Sequence, residues 1–219
     1  MRIRTREGAE LTIDAGQFYE IPAGHEAWVE GDEPYVNIEW QPSVAFGEAQ
    51  GGDFDRIVAT LLVTDIVDST ATARALELGD GAWRDLLARH DREVRDQLDR
   101  FRGREVATTG DGFVALFDGA ERAIRAAQAI CRAASELGIE VRAGVHTGEV
   151  ELESDNVRGV AVHIAARIAD LPGPGEVYAS WATRELLAGS AIGFTDRGAQ
   201  SLKGLSEERR VYLVERSSN

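Results

Sequence analysis

The chain has 219 residues, 43% of them hydrophobic, and a formal net charge of −14. The hydrophobic share is ordinary for a globular chain, so a core can be buried, and the acidic balance excludes nucleic acid and anionic membrane surfaces as natural partners. No apolar run approaches the ~20 residues of a membrane span, the opening MRIRTREGAE lacks a signal peptide's apolar stretch, and the lone Cys131 precludes an internal disulfide; a cytoplasmic protein is expected.

The charge is evenly divided, −7 over residues 1–50 and −7 over the rest, so any polyanionic ligand must be held by local donors or metal ions. Of the 24 basic residues 23 are arginine, which makes Lys203 a solitary exception.

In chain order, residues 1–45 contain short strand-like runs (LTIDAG, FYEIPAG, AWVEGD, YVNIEW) punctuated by Gly, Pro and Asp. Residues 46–56 read as a linker. It contains GGDFD, similar to the GGDEF signature of diguanylate cyclases, but ahead of the first main strand rather than on a central hairpin.

The main domain, residues 57–216, then alternates. RIVATLLVTDI is a nearly continuous apolar strand, as expected when both faces are buried. Ser69 and Thr70 suit the cap of a following helix. A longer helix is expected at about 80–102, with Trp83, Leu86, Leu87, His90, Val94, Leu98 and Phe101 at helical spacing. REVATTGDGFVALF forms a hairpin with Asp111-Gly112 at its bend. A helix at about 118–137, the strand IEVRAGVHTGEVEL, a helix at about 157–170, the strand GEVYAS, a short helix and two terminal strands complete the chain. Without its extras this is β-α-β-β-α-β, a ferredoxin-like α+β fold with a small all-β N-terminal appendage.

Four features could carry chemistry. In VTDIVDST the carboxylate of Asp65 ends a buried strand, where it is costly unless paired or metal-bound, and the turn after it leads into a helix N-terminus that suits phosphate. Asp111 is a natural turn residue. In a ferredoxin-like sheet, however, its hairpin lies beside the end of the first strand, so it converges on Asp65 as an oxygen site for Mg²⁺ or Mn²⁺. On the helix at 157–170, spacings of seven and four residues put Asn156, His163 and Arg167 on one stripe, ~10 Å and ~6 Å apart. A solvated helix face would look the same. Lys203, before Gly204, suits a phosphate point charge. His146 reads as a packed or hydrogen-bonded strand residue.

Together these motifs carry a resemblance. From about residue 56 to 215 the chain resembles the catalytic domain of class III nucleotidyl cyclases. The matching motifs are TDIVDST, TTGDGFVALF, VRAGVHTGEV, GVAVHIAARI, LPGPGEVYAS and LKG, in order and at the right spacings. Residues 1–45 resemble part of a cupin barrel. Gly16, Pro22 and Gly24 fit its second motif, whereas Ala27 stands at the usual metal-ligand position and His25 two residues early.

The cyclase resemblance implies that Asp65 and Asp111, with the Ile66 carbonyl, bind two divalent cations, Mg²⁺ or Mn²⁺. It implies that the loop of Ile66, Val67, Asp68, Ser69 and Thr70 cradles phosphates and that Lys203 contacts phosphate. Arg167 would stabilise the transition state, and His163 stands where the family usually has Asn. The purine-selecting positions fall on Ala107, which has no side-chain hydrogen bond to offer, and Asn156, which can both donate and accept. A phosphate-contacting arginine of some members falls on Glu176. The implied reaction converts a nucleoside triphosphate to a 3′,5′-cyclic nucleotide and pyrophosphate in a head-to-tail homodimer with two shared sites. ATP is the first substrate expected, with GTP, UTP or CTP as alternatives. A non-catalytic nucleotide-binding module is the rival reading.

Overall fold

The computed structural model describes residues 2–4, 10–12, 26–28, 55–67, 80–109, 111–153 and 156–216. The chain divides into two compact units, residues 1–53 and 54–219. In the first, β1 (Arg2–Arg4), β2 (Glu10–Thr12) and β3 (Glu26–Trp28) form an antiparallel sheet in the order β2-β1-β3. Ala27 stands opposite Ile3 in that sheet. The strands expected at 18–24 and 35–40 lie outside the described residues.

The second unit runs β4 (Asp55–Ile66), α1 (Asp80–Phe101), β5 (Arg104–Thr109), β6 (Gly112–Phe117), α2 (Ala120–Glu136), β7 (Val141–Glu153), β8 (Asn156–Arg158), α3 (Val160–Ala169), β9 (Val177–Ser180), α4 (Trp181–Leu186), β10 (Phe194–Gln200) and β11 (Arg209–Val214). Its sheet has the order β10-β11-β9-β7-β4-β6-β5, with β8 added alongside β7. The four strands β7-β4-β6-β5 pair antiparallel throughout. With α1 and α2 between them in sequence, they make the ferredoxin-like βαββαβ core of an α+β fold.

Alternation along β4 explains the layers. Leu62 and Ile66 point to one face, where they pack with Val94 and Leu98 of α1 and with Ala123, Ile124, Ala127, Ile130 and Ala134 of α2. Ala59, Leu61 and Val63 point to the other face and meet Ala161, Val162, Ala165 and Ala169 of α3. Both faces of β4 are therefore buried, which is why its sequence is apolar almost without interruption. On β7 a glycine is required where α3 presses in: a Cβ on Gly144 would lie 2.8 Å from the Ala165 carbonyl oxygen.

Two expectations change. The helix expected from residue 157 begins at Val160, because Asn156–Arg158 instead pairs with Glu151–Glu153 as strand β8. Gly159, at φ 121°, makes the break, a conformation that L side chains rarely adopt. Val157 is thus buried from a strand, and Val160, the first residue of the helix, is 60% exposed. The second change concerns β5, which carries a bulge between Glu105 and Ala107, so that Val106 and Ala107 both pack on the α3 side of the sheet.

Candidate active site

Asp65 is the penultimate residue of β4, and its strand partner on β7 is Arg142. By alternation Asp65 lies on the α3 side, with Leu61 and Val63. Asp111 lies just beyond the end of the β4–β6 ladder, at the same end of the sheet as Asp65. The last pair of that ladder is Thr64 with Phe113, and the Phe113 N–H also donates to Thr64 Oγ1 at 3.2 Å. The bend between β5 and β6 lies between Thr109 and Gly112, which pair with each other. Gly112 is therefore a ladder residue and not part of the bend expected from the Asp-Gly pair. Adjacent strands lie ~4.8 Å apart, so both carboxylates sit at one end of the sheet on neighbouring strands.

Behind the bend, His90 of α1 is 1% exposed and meets Phe113 edge-to-face at 6.3 Å. Its Nδ1 has no hydrogen-bond partner among the described residues. Burial lowers its pKa, while the negative charges of Asp91 and Asp111 oppose that shift.

A guanidinium neutralises Asp65. Arg142 donates to its Oδ2 through Nε at 3.0 Å and Nη2 at 2.6 Å. The same Arg142 donates through Nη1 to the Asp170 carbonyl oxygen at 2.8 Å, and its Nη2 lies 3.9 Å from Asp170 Oδ1. Asp170 caps the C-terminus of α3, an end where cations are favoured. Its Oδ2 accepts from Arg167 Nη1 at 3.2 Å. The result is an alternating row of charges, Asp65–Arg142–Asp170–Arg167, from the end of β4 to the last turn of α3. Neither Arg142 nor Asp170 stands out in the sequence. The hints were the strand alternation that puts residue 142 on the face of Gly144, and the three-residue spacing of Arg167 and Asp170.

The remaining sequence candidates are distributed as follows. His163 is exposed and one helical turn before Arg167, on the side of α3 away from Ala161 and Ala165. Asn156 does not continue that stripe, because it lies on β8, paired with Glu153; the helical distances expected between it and His163 do not apply. Ala107 is half-buried opposite Val114, just past the bulge. Ile66 is buried, and Val67 begins the turn with its N–H bonded to the Glu140 carbonyl at 2.8 Å. Asp68, Ser69 and Thr70 lie outside the described residues. Lys203 is exposed in the loop between β10 and β11, which Leu202 anchors against Ile164 and Ile168 of α3. Glu176 accepts from the Gly173 N–H at 3.0 Å and braces its own loop.

The donor chemistry fits a hard divalent cation. Asp65 and Asp111 offer carboxylate oxygens, and both bonds from Arg142 land on Oδ2 of Asp65, leaving Oδ1 without a donor among the described residues. No cluster of three or more His, Cys, Asp or Glu occurs among the described residues. Two protein carboxylates with the remaining ligands from phosphate and water is the pattern of a magnesium-type site.

A family model described as the adenylate and guanylate cyclase catalytic domain matches residues 54–216. The chain belongs to this family. It is 30% identical over 168 residues to a Rhizobium meliloti protein named "Putative adenylate cyclase 3", across 72% of this chain and 28% of that one. An uncharacterised Mycobacterium tuberculosis protein is 31% identical over 174 residues, across 75% of this chain and 60% of that one. The chain thus spans less than two thirds of either relative. Among solved structures, the adenylyl cyclase CyaB from P. aeruginosa shares the fold at a TM-score of 0.68 and 23% identity, across 76% of this chain and 97% of that one. An adenylate/guanylate cyclase/hydrolase from Silicibacter pomeroyi matches at 0.66 and 26%, across 74% and 99%. No described helix is long and apolar enough to cross a membrane.

Proposed function

We propose that the protein cyclises a nucleoside triphosphate to a 3′,5′-cyclic nucleotide and pyrophosphate, with ATP as the first substrate assigned. The observation that carries this reading is the pair Asp65 and Asp111 on neighbouring strand ends of a cyclase-family domain. Asp65 and Asp111, with the Ile66 carbonyl, are the residues that would hold two divalent cations, Mg²⁺ or Mn²⁺. Bound there, such cations lower the pKa of the ribose 3′-hydroxyl and screen the triphosphate. Val67, Asp68, Ser69 and Thr70 receive the phosphates at the turn, and Lys203 adds a point charge. Arg167 donates to the α-phosphate as charge develops there, and His163 orients the ribose and α-phosphate.

The base faces Ala107 and Asn156. Strong rejection of a wrong base needs buried polar groups that it would leave unpaired. Ala107 brings none, so discrimination among ATP, GTP, CTP and UTP is expected to be weak. The two residue sets are assigned to opposite subunits: Asp65 and Asp111 from one, Arg167 and His163 from the other, in a head-to-tail homodimer.

The test is product formation from each of the four nucleotides with Mg²⁺ or Mn²⁺. ATP is expected to yield cyclic AMP; a larger yield from another nucleotide would reassign the substrate. No cyclic product from any of them would sink the enzyme reading and leave a nucleotide-binding module. Subunit sharing is checked by mixing Asp111→Ala with Arg167→Ala protein, each expected to be nearly inactive alone. The mixture should recover activity from one intact site per heterodimer; a dead mixture that still dimerises rules the shared site out.

A further inference from the structure

The bend that carries Asp111 has little strand pairing to hold it. The β4–β6 ladder stops at Thr64 with Phe113, and β5 is the edge of the sheet. Past that point the hairpin is two strands, closed by the pair Thr109 and Gly112. Two strands by themselves are marginally stable, whereas a metal ligand needs a firm support. We infer that His90 and Arg95 of α1 are positioning residues: by gripping the Phe113 ring they fix the bend and so place Asp111 for the cations. The inference rests on the cation site proposed above for its functional meaning.

Phe113, two residues past Asp111, is held in three ways. Its N–H donates to Thr64 Oγ1 at 3.2 Å, which ties it to the residue before Asp65. His90 meets its ring edge-to-face, with the centroids 6.3 Å apart. The Arg95 guanidinium lies over the same ring, 5.3 Å from its centre. Arg95 also reaches the other strand: its Nε and Nη2 donate to the two carboxylate oxygens of Glu105, at 2.8 and 3.1 Å. One guanidinium thus joins α1 to both strands of the hairpin.

The energetics separate this role from plain stability. The side chains of Arg95 and Glu105 are 48% and 31% exposed, so their ion pair adds little to the stability of the fold. What the two-pronged contact does fix is a direction, because the guanidinium fork is rigid. His90 is 1% exposed and close enough for the charge of Asp111 to act on it. Its Nδ1 has no hydrogen-bond partner among the described residues, so its contribution here is a flat ring set against Phe113. Both residues act on Asp111 through Phe113.

The experiment measures Mn²⁺ binding to the full-length protein without nucleotide, by the electron paramagnetic resonance signal of the free ion, with a urea midpoint for each preparation. Arg95→Met keeps the aliphatic stem and loses the fork. It is expected to weaken Mn²⁺ binding about tenfold, the lower end of what residues supporting a metal ligand contribute, while the midpoint hardly moves. His90→Ala should weaken binding at least as much, and His90→Phe, which keeps a ring against Phe113, should restore it. Val145→Ala is the control: Val145 is fully buried on β7, with β4 between it and the hairpin. That variant should lower the midpoint and bind Mn²⁺ as wild type does. If Arg95→Met and His90→Ala bind Mn²⁺ as well as wild type, or if Val145→Ala weakens binding as much as they do, the inference is overturned while the cyclase reading stands. Failure of His90→Phe to restore binding overturns it for His90. If wild type binds no Mn²⁺, the cation site itself falls and the inference falls with it.

Discussion

The two faces of the large sheet are built differently. One is roofed by two helices, α1 and α2, and its cluster runs from Phe117 and Leu62 through the alanine-rich inner side of α2 to Val145 and Val214. The other carries a smaller cluster under the single helix α3. On this second face the strands present Asp65 and Arg142 beside Leu61 and Gly144, and α3 ends in the charged pair Arg167 and Asp170. The doubly covered face holds the larger core, and the thinly covered one leaves polar groups such as Asp65 and Arg142 partly exposed. Helix α3 must therefore sit close to the sheet, and Gly144 provides the room.

The largest expected effect breaks the functional face without touching the structural one. Asp65→Asn removes a cation ligand proposed to stabilise several kcal/mol of developing charge, so product formation should fall about a thousandfold. The side chains of Asp65 and Arg142 are 35% and 26% exposed, so the lost ion pair should cost no more than ~1 kcal/mol of stability. Turnover and urea midpoint, measured on the same preparation, check this. A large loss of stability would mean that the row of charges is a scaffold and not a site.

The converse substitution is Phe117→Ala, 1% exposed in the middle of the other face. Deleting so large a buried side chain should cost ~3–5 kcal/mol. Cyclase turnover per folded molecule should change little, because the ring points away from Asp65. Denaturant titration alongside an activity assay at low temperature separates the two quantities. An activity loss beyond the unfolded fraction would show that the faces are not independent.

This division also explains what the sequence revealed and what it concealed. Alternation and helical spacing are local signals, and they locate the core strands, α1, α2 and the hairpin that carries Asp111. The contact between Asp65 and Arg142 spans 77 positions and depends on the register of β4 against β7, which no local pattern encodes. The place of Asn156 on a strand is hidden for a related reason. A three-residue strand pairing back on β7 looks like the first turn of the helix that follows until Gly159 is known to adopt a positive φ. The bulge at Val106 is similarly invisible, since an extra residue in one strand is defined only by its neighbour.

The smallest effect concerns acid, and it tests a polar seam that crosses from one face to the other. His146 Nδ1 is 2.8 Å from Ser180 Oγ, and the seam continues through Thr183 and Thr147 to Thr60. Burial pushes the imidazole pKa down to about 4, and the positive charge of Arg209 adds to the shift. An unfolded histidine titrates near 6.5. Between those values the unfolded chain binds the proton and the folded chain does not, so stability is complete above pH 6.5 and is lost as the pH falls toward 4. At pH 5 the loss from this residue should be about 2 kcal/mol. Burial shifts His90 in the same direction, so it adds to the slope in both proteins compared. Urea unfolding at pH 7 and pH 5 should show wild type losing that much more than His146→Gln, whose amide can still bond Ser180 but takes up no proton. Equal losses in the two proteins would place the acid sensitivity elsewhere and reduce the seam to packing.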